Sequence, residues 1–275
     1  PPRNHSSAAS DVYKRQPANC GRSWIRKGRT MAQSAVKQAD AIVIQPLHPA
    51  LGLEIKGLDL LELDEAGCDI INDMWQLGGA LLFRSQSAPA QAAKNLAEAL
   101  ATGLGLDPVE AAAALDPDWH MMGAAEETPP VGAVYRCEAG APALPDLELS
   151  SMEAVADALR MADPEYLAEI GPIAEPHVAG GPRHPALHRH WESGEVCAYP
   201  PPSGRSPKTG SARLRDKAEA LEMVYRHEWA AGDVLAFDTR AVRCRWRASG
   251  AAPVLHYSLP CNRPLKAYAP VLPRV

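Results

Sequence analysis

Apolar segments with strand character stand at both ends of the chain, and they limit its possible folds more than any other feature. AIVIQPL (41–47) and LGLEIKGLDL (51–60) come early, while DVLAFD (233–238), AVRCRWRA (241–248) and PVLHYSL (253–259) come late. Short alternating or continuously apolar runs between Gly- and Pro-containing turns are typical of strands. Strands at both ends with helices between them predict an α+β fold around a β-sandwich or jelly roll.

Helical patterns and further strands lie between these ends. Asp64 is expected to cap a first helix that Gly78-Gly79 ends, and its apolar residues Ile70, Ile71, Met74 and Trp75 share one face. ALLFR (80–84) follows as a buried strand, and an Ala-rich helix is predicted from Ser87 to about Leu104.

The second half of the chain has its own helical patterns. A strand is predicted over VGAVYRCEA (131–139) and a helix over residues 151–162, and Asp163-Pro164 has the pattern of a cap followed by Pro at the first helical position. Residues 172–210 are expected to be irregular, because they are rich in Pro, Gly and His. An apolar stripe predicts a last helix over about 211–226, formed by Leu214, Ala218, Leu221 and Tyr225.

Composition excludes several classes of protein. The chain has 275 residues, of which 46% are hydrophobic and 22% charged, enough for one large domain or two small ones. A net charge of −5 does not favour a nucleic-acid partner, and no apolar run is long enough to predict a membrane span. The six Cys are scattered without a Cys-x-x-Cys pair, which indicates reduced thiols and a cytoplasmic location.

The first thirty residues differ from the rest of the chain. They are basic and polar, have no apolar periodicity and lack the apolar segment of a secretory signal. We interpret them as a non-native lead, with Met31 as the true start. Residues 1–38 are therefore predicted to lack regular structure, and residues 39–275 to form a single domain.

Four stretches, in order along the chain, resemble the taurine/2,4-dichlorophenoxyacetate dioxygenase (TauD/TfdA) family of Fe(II)/2-oxoglutarate oxygenases. They are IQPLHPALGLEIKGLDL with LGGALLFRSQ, then DWHMMGAAEETPPVGAVY, then HPALHRHWESGEVCAY, and finally EWAAGDVLAFDTRAVRCRW with APVLHYSLP. Together they cover about residues 44–260. The resemblance implies a double-stranded β-helix (jelly-roll) core with flanking helices.

The resemblance also implies where the chemistry lies. His120 stands at the first iron-ligand position, Met122 where the family has a carboxylate, and Cys244 where it has the distal His. Tyr257 stands where an Arg would pair with 2-oxoglutarate, and the family's Gly-Gly-Asp-Thr segment has no counterpart. Fe(II) and 2-oxoglutarate are the implied cofactors. A neutral thioether is a poor Fe(II) ligand and Tyr cannot replace a bidentate guanidinium, so impaired or lost turnover is expected.

Strand alternation predicts which side chains line the interior. If Cys244 points inward, Val242 and Trp246 do too, and Arg243, Arg245 and Arg247 form a solvated outer face. An inward Tyr257 would bring Leu255 and Leu259 with it. Trp119, Trp246 and Arg240 are the expected pocket residues, Arg240 with a structural role. The resemblance, rather than alternation, implies that His120, Met122 and Cys244 converge at one end of the barrel, with Tyr257 nearby.

Three functional hypotheses remain open. The first is an active dioxygenase that acts on a small organic acid and holds iron irregularly at His120. The second is a non-catalytic relative with a pocket of the small-organic-acid type, which binds a small-molecule ligand or assists a pathway enzyme. The third is a soft-metal (copper) site at His120, Met122 and Cys244. A homo-oligomer is possible in each case. His184, His188 and His190 are interpreted as scaffold and pocket rim rather than as a metal site.

Overall fold

The computed structural model describes residues 42–138, 144–202, 212–220, 223–248 and 254–268. The predicted lead over residues 1–38 lies outside them, so that domain boundary stays a prediction. No helix among the described residues is long and apolar enough to cross a membrane. The described cysteines, Cys68, Cys137, Cys197, Cys244 and Cys261, are free.

The described residues form fifteen strands and five helices. The strands are β1 (Val43–His48), β2 (Leu51–Lys56), β3 (Ala80–Phe83), β4 (Val109–Ala113), β5 (Gly132–Arg136), β6 (Leu147–Ser151), β7 (Ala174–Pro176), β8 (Arg183–Pro185), β9 (Leu187–Arg189), β10 (Val196–Ala198), β11 (Val224–His227), β12 (Val234–Phe237), β13 (Val242–Trp246), β14 (Val254–Leu259) and β15 (Lys266–Ala267). The helices are α1 (Glu65–Gly78), α2 (Pro89–Leu104), α3 (Met152–Ala162), α4 (Pro164–Ile170) and α5 (Ala212–Ala218).

Two facing sheets form the core. The larger has seven strands in the order β1-β2-β3-β12-β5-β14-β4, and the smaller has three in the order β11-β6-β13. Strands from the two ends of the sequence are therefore neighbours, since β3 pairs with β12 and β12 with β5. This arrangement confirms the predicted α+β jelly-roll core with flanking helices.

The larger sheet separates two apolar layers because successive side chains of a strand point to opposite faces. Leu82, Tyr135 and Leu235 face the smaller sheet and pack with Leu149 and Cys244. The alternate residues pack against helices α1 and α2 instead, namely Leu81, Phe83, Val134, Val234, Ala236 and Leu259. We call the first layer, between the two sheets, the interior.

Local signals in the sequence explain the helix ends. The Asp64 carboxylate accepts a hydrogen bond from the Gly67 amide at 2.8 Å, and Gly79 ends α1 in the left-handed region with φ 64°. Asp163 likewise accepts from the Tyr166 amide at 3.1 Å, with Pro164 at the start of α4. Both predicted caps are confirmed.

Two predictions about the second half were wrong. The helix expected over about 211–226 ends at Ala218 in the described residues, and Tyr225 lies in strand β11, paired with Leu149. The stretch 172–210 was expected to be irregular, yet its described part contains β7 to β10. These strands are only three residues long, too short for a periodic pattern. β7 pairs with the equally short β8 and β9 with the equally short β10, and β9 pairs also with the distant β15.

Candidate functional site

His120 and Cys244 face each other across a short backbone bridge. The amide of each residue donates to the carbonyl of the other, and both N–O distances are 3.0 Å. Directly opposite residues in such an antiparallel pair place their side chains on the same face. The Cys244 sulfur accordingly lies 3.6 Å from Nε2 of His120. Residues 124 positions apart in sequence are thus in direct contact.

The second ring nitrogen of His120 is held from the other side. Nδ1 lies 2.8 Å from the Asp118 carbonyl oxygen and 3.8 Å from the Asp116 carboxylate. A carbonyl only accepts hydrogen bonds, so Nδ1 carries the proton in the neutral ring and Nε2 offers its lone pair to the thiol. Burial lowers the pKa of His120, but Cys244, the Asp118 carbonyl and Asp116 outweigh that effect and raise it to about 9.

Met122 reaches the same region through Tyr135. The Tyr135 hydroxyl donates to the Met122 sulfur at 3.5 Å. Burial, and secondarily the nearby Cys244, raises the pKa of Tyr135 well above its usual value, so the hydroxyl stays a neutral donor. Met122 therefore packs against the layer that contains Cys244, on the side where Cys244 contacts His120.

Aromatic rings form the wall behind these three residues. The ring of Tyr135 stacks on Phe237 at 5.9 Å and on His256 at 5.0 Å, and it meets the edge of Trp246 at 5.5 Å between centroids. Trp246 in turn stacks on Trp229 at 6.2 Å. The predicted inward direction of Trp246 is confirmed, and the wall offers flat apolar surface rather than charge.

Tyr257 does not face the interior, and this corrects the expectation from the resemblance. In the pairing of β14 with β5, Tyr257 lies opposite Val134, whereas His256 lies opposite Tyr135. Tyr257 packs on the helix side of the sheet beneath the guanidinium of Arg136, 5.9 Å from the ring centroid. Leu255, expected to point inward with it, is 49% exposed. The interior-facing side chain of this strand next to the site is His256, which the sequence reasoning missed.

Arg243 was expected on a solvated strand face, but it is fully buried. Its Nη2 donates to the carbonyls of Trp119 at 3.1 Å and Pro201 at 3.2 Å, and Nη1 lies 3.5 Å from the Glu219 carboxylate. Burial is the main reason why the pKa of Arg243 is lowered to about 10. The outer face of β13 is covered by other segments at this position, which alternation within one strand cannot reveal.

The neighbouring arginines differ from Arg243. Arg245 is partly buried and Arg247 is exposed, and both pair with Glu148, at 2.6 Å and 3.5 Å. Trp119, expected in the pocket, lies on this outer face, since the Arg245 guanidinium is 4.7 Å from its ring centroid. The outer face of β13 is therefore an arginine–tryptophan layer and not part of the interior.

Arg240 has the structural role that was expected. Its side chain is buried and donates to the Pro129 carbonyl at 2.8 Å and to the Arg263 carbonyl at 2.7 Å. The guanidinium therefore ties two loop segments together. It belongs to the scaffold near the site, not to the lining of the interior.

The three histidines of RHPALHRH have separate partners and do not converge on one point. His184 Nε2 bonds the Ala124 carbonyl at 3.0 Å, and His188 Nε2 bonds the Arg240 carbonyl at 2.9 Å. His190 Nε2 donates to Asp238 at 2.8 Å. One possible metal-ligand atom from each of His190, Glu192 and Asp238 lies within 4.8 Å of the other two. Because Asp238 also accepts from the amides of Arg240 and Ala241, His190 and Asp238 form a buried ion pair in the scaffold, while one buried oxygen of Glu192 has no hydrogen bond within the described part of the chain.

The residues at the rim do not fit Fe(II). A two-His-one-carboxylate face needs an anionic oxygen ligand, and here Met122 offers a neutral sulfur. At the third position Cys244 offers sulfur as well, already in contact with His120. No reaction step through iron is therefore derived for this site.

No protein-family model matches the sequence, and no curated protein matches it either. Among solved structures, AAD-2 in complex with Mn(II) and N-oxalylglycine is 20% identical, with a TM-score of 0.66 over 82% of this chain and 99% of that chain. A taurine dioxygenase from Burkholderia xenovorans is also 20% identical, with a TM-score of 0.65 over 82% of this chain and 93% of that chain. These similarities show that the chain shares the fold of such dioxygenases.

Proposed function

We propose that this chain is a non-catalytic relative of the TauD/TfdA-type Fe(II)/2-oxoglutarate dioxygenases, and that it binds a small, neutral molecule beside His120. The shared fold with AAD-2 and the taurine dioxygenase supports the relationship. The observation that carries the loss of turnover is the 3.6 Å contact between Cys244 Sγ and His120 Nε2. Two groups that would have to face a metal as separate ligands bind each other instead, and Met122 adds no negative charge.

The test of lost turnover is a pair of measurements on the purified protein. We expect iron to stay far below one equivalent after incubation with Fe(II). We also expect no succinate release from 2-oxoglutarate with ascorbate and taurine, another sulfonate or an aryloxy acid. A taurine dioxygenase assayed in parallel serves as the positive control. Succinate release that disappears in His120→Ala would instead establish an active dioxygenase with irregular iron ligation at His120.

The nature of the ligand follows from the wall of the interior. The rings of Tyr135, Phe237, Trp246 and His256 pack against one another. The cation at the rim, His120 with its raised pKa, already faces Cys244 and Asp116, so burying a dicarboxylate here would be costly. Neutral aromatic molecules are therefore the expected class. N-oxalylglycine is expected to leave the melting temperature unchanged, whereas a neutral aryl compound that binds raises it in the unmodified protein but not in Tyr135→Ala.

A second candidate function is a soft-metal site. The specific observation is that a thiol contacts an imidazole and a thioether packs against the same layer, with the Cys244 sulfur 3.6 Å from His120 and the Met122 sulfur 3.5 Å from the Tyr135 hydroxyl. Such donors suit Cu(I) better than Fe(II). Retention of one Cu(I) per chain against a competing chelator, lost in Cys244→Ser but not in Cys137→Ser, would favour this function.

A further inference from the structure

Cys244 and His120 have the relative geometry of a nucleophile and its general base. We propose that the Cys244 thiol is a covalent site that takes an acyl group from a neutral, activated ester, with His120 as the base. A nucleophile, a base within reach of it and a third group that orients the base are the parts that such a site needs. This inference goes beyond the binding role proposed above and does not depend on it.

Backbone hydrogen bonds alone set the relative position of His120 and Cys244. The two reciprocal amide–carbonyl bonds between His120 and Cys244, each 3.0 Å, place the side chains on one face. The resulting sulfur–nitrogen distance of 3.6 Å is within reach of an S–H···N hydrogen bond. Because the thiol and the imidazole come from segments pinned to each other, little conformational freedom has to be lost when the proton moves.

The orienting group of the base is also present. With the Nδ1 proton of His120 directed at the Asp118 carbonyl, 2.8 Å away, the lone pair of Nε2 faces the thiol. The Asp116 carboxylate, 3.8 Å from Nδ1, favours the imidazolium that forms once the proton has moved. This part of the site uses Asp116, a residue to which the resemblance gives no role.

The Cys244 sulfur lies beside side chains that reach the solvent. Cys244 itself is 2% exposed, but the His120 side chain beside it is 23% exposed, and Met122 is only partly buried. The sulfur is therefore one side chain away from solvent. Behind it stands the aromatic wall of Tyr135 and Trp246, which favours a neutral, flat reagent over a charged one.

The chemical step balances without any further reactant. At a pH above about 9, where the His120 ring is neutral, the thiol proton passes to Nε2 of His120, and the sulfur forms a bond to the acyl carbon of the ester. The ester C–O bond breaks with its electron pair on oxygen, and this oxygen takes the proton back from His120. The products are S-acyl Cys244 and a free alcohol or phenol, with no oxidation or reduction.

The experiment is acetylation by p-nitrophenyl acetate in the presence of EDTA, followed by peptide-resolved mass spectrometry. Cys68 is the internal control, because it is more exposed than Cys244 and the charged groups that act on it are the carboxylates of Asp64 and Asp69. Burial together with Asp64 and Asp69 raises the pKa of the Cys68 thiol. We expect Cys244 to be acetylated before Cys68. His120→Ala should slow the reaction at Cys244 by about 100-fold, a typical effect of losing a general base.

Chemical rescue separates a base from a merely structural histidine. Imidazole added to His120→Ala is expected to restore acetylation of Cys244 and to leave the rate at Cys68 unchanged. Faster reaction at Cys68 than at Cys244, an unchanged rate in His120→Ala, or no rescue by imidazole would each overturn the proposal. Because EDTA removes metals and no 2-oxoglutarate is present, the outcome is independent of the iron and succinate measurements.

Discussion

His256 and Tyr257 are adjacent in strand β14, yet they lie on opposite sides of the larger sheet. His256 stacks on Tyr135 in the interior with 5.0 Å between ring centroids, whereas Tyr257 packs on the helix side under Arg136. The position that the family resemblance assigns to a 2-oxoglutarate-binding Arg therefore points away from the site in this chain. This relationship decides which substitutions can restore cosubstrate binding.

Restoring the two iron ligands is expected to recover metal binding but not cosubstrate binding. The double variant Met122→Asp, Cys244→His places an anion and a second imidazole beside His120, and we expect about one Mn(II) per chain by calorimetry. Adding Tyr257→Arg should not improve N-oxalylglycine affinity, because that side chain lies outside the interior. His256→Arg, added to the same double variant, is the comparison for Tyr257→Arg, because the His256 side chain faces the interior. A tenfold gain from Tyr257→Arg would contradict the observed side-chain direction.

Arg243→Met is expected to destabilise the fold strongly. The substitution leaves the carbonyls of Trp119 and Pro201 without their buried donor, so the free energy of unfolding should fall by about 3 kcal/mol. Arg247→Met is the control on the same strand face, because Arg247 is exposed, and its effect should stay within about 0.5 kcal/mol. Urea unfolding of both variants checks this, and equal losses would contradict the buried role of Arg243.

Stability should fall as the pH drops from about 6.5 towards 4. Burial lowers the pKa of His188 from 6.5 to about 4, so between these values the unfolded chain takes up a proton that the folded chain excludes. The contribution of neutral His188 to the free energy of unfolding is therefore complete above pH 6.5 and is lost progressively below it. The total loss is on the order of 3 kcal/mol. The measurement is the free energy of unfolding at several pH values.

His188→Gln isolates this effect, because Gln keeps a donor for the Arg240 carbonyl but does not titrate. The variant is expected to show a flatter acid limb than the unmodified protein. His190 acts in the opposite direction, because Asp238 outweighs the effect of burial and raises its pKa. The stability that protonated His190 contributes is therefore lost as the pH rises above 6.5. An acid limb of the same slope in His188→Gln would show that other groups cause the pH dependence.

Gly232→Ala is expected to be more costly than Gly105→Ala, although both residues have positive φ. A Cβ at Gly232, where φ is 83°, would lie 2.8 Å from the Gln86 carbonyl oxygen, whereas at Gly105, with φ 67°, nothing lies within 4 Å. Backbone strain alone should cost Gly105→Ala about 1 to 2 kcal/mol. The additional clash should bring Gly232→Ala above about 3 kcal/mol, measured by urea unfolding. Similar values would mean that the turn at Gly232 adapts easily.

The fold was readable from the sequence because its signals are local. Asp64, Asp163 and Gly79 mark helix ends through their own side chain or backbone, and apolar alternation marks the long strands. These features act over a few residues, so a single sequence displays them. The short strands between Ala174 and Ala198 escaped prediction because each depends on a partner that is distant in sequence or has an equally weak pattern.

The site was only partly readable. The resemblance placed His120, Met122 and Cys244 together, and the structure shows His120 in contact with Cys244 and Met122 packed against the same layer. Strand alternation directed Cys244 and Trp246 to the interior, as the structure shows. Alternation also put Arg243 on a solvated face, and the resemblance put Tyr257 at the site; both were wrong. Alternation shows which residues of a strand share a face, but what covers that face depends on other segments.

The sequence by itself determined the first two helices, the long apolar strands, the caps and the replacement of iron-binding side chains by Met122 and Cys244, because these depend on residue identity and near neighbours. Only the tertiary structure decided that Cys244 contacts His120, that Asp118 orients the imidazole, and that His256 rather than Tyr257 completes the wall. Those relationships come from the pairing of β14 with β5 and from the bridge between His120 and Cys244. A shift of either by one residue would reverse every side-chain direction, and nothing local in the sequence specifies such a register.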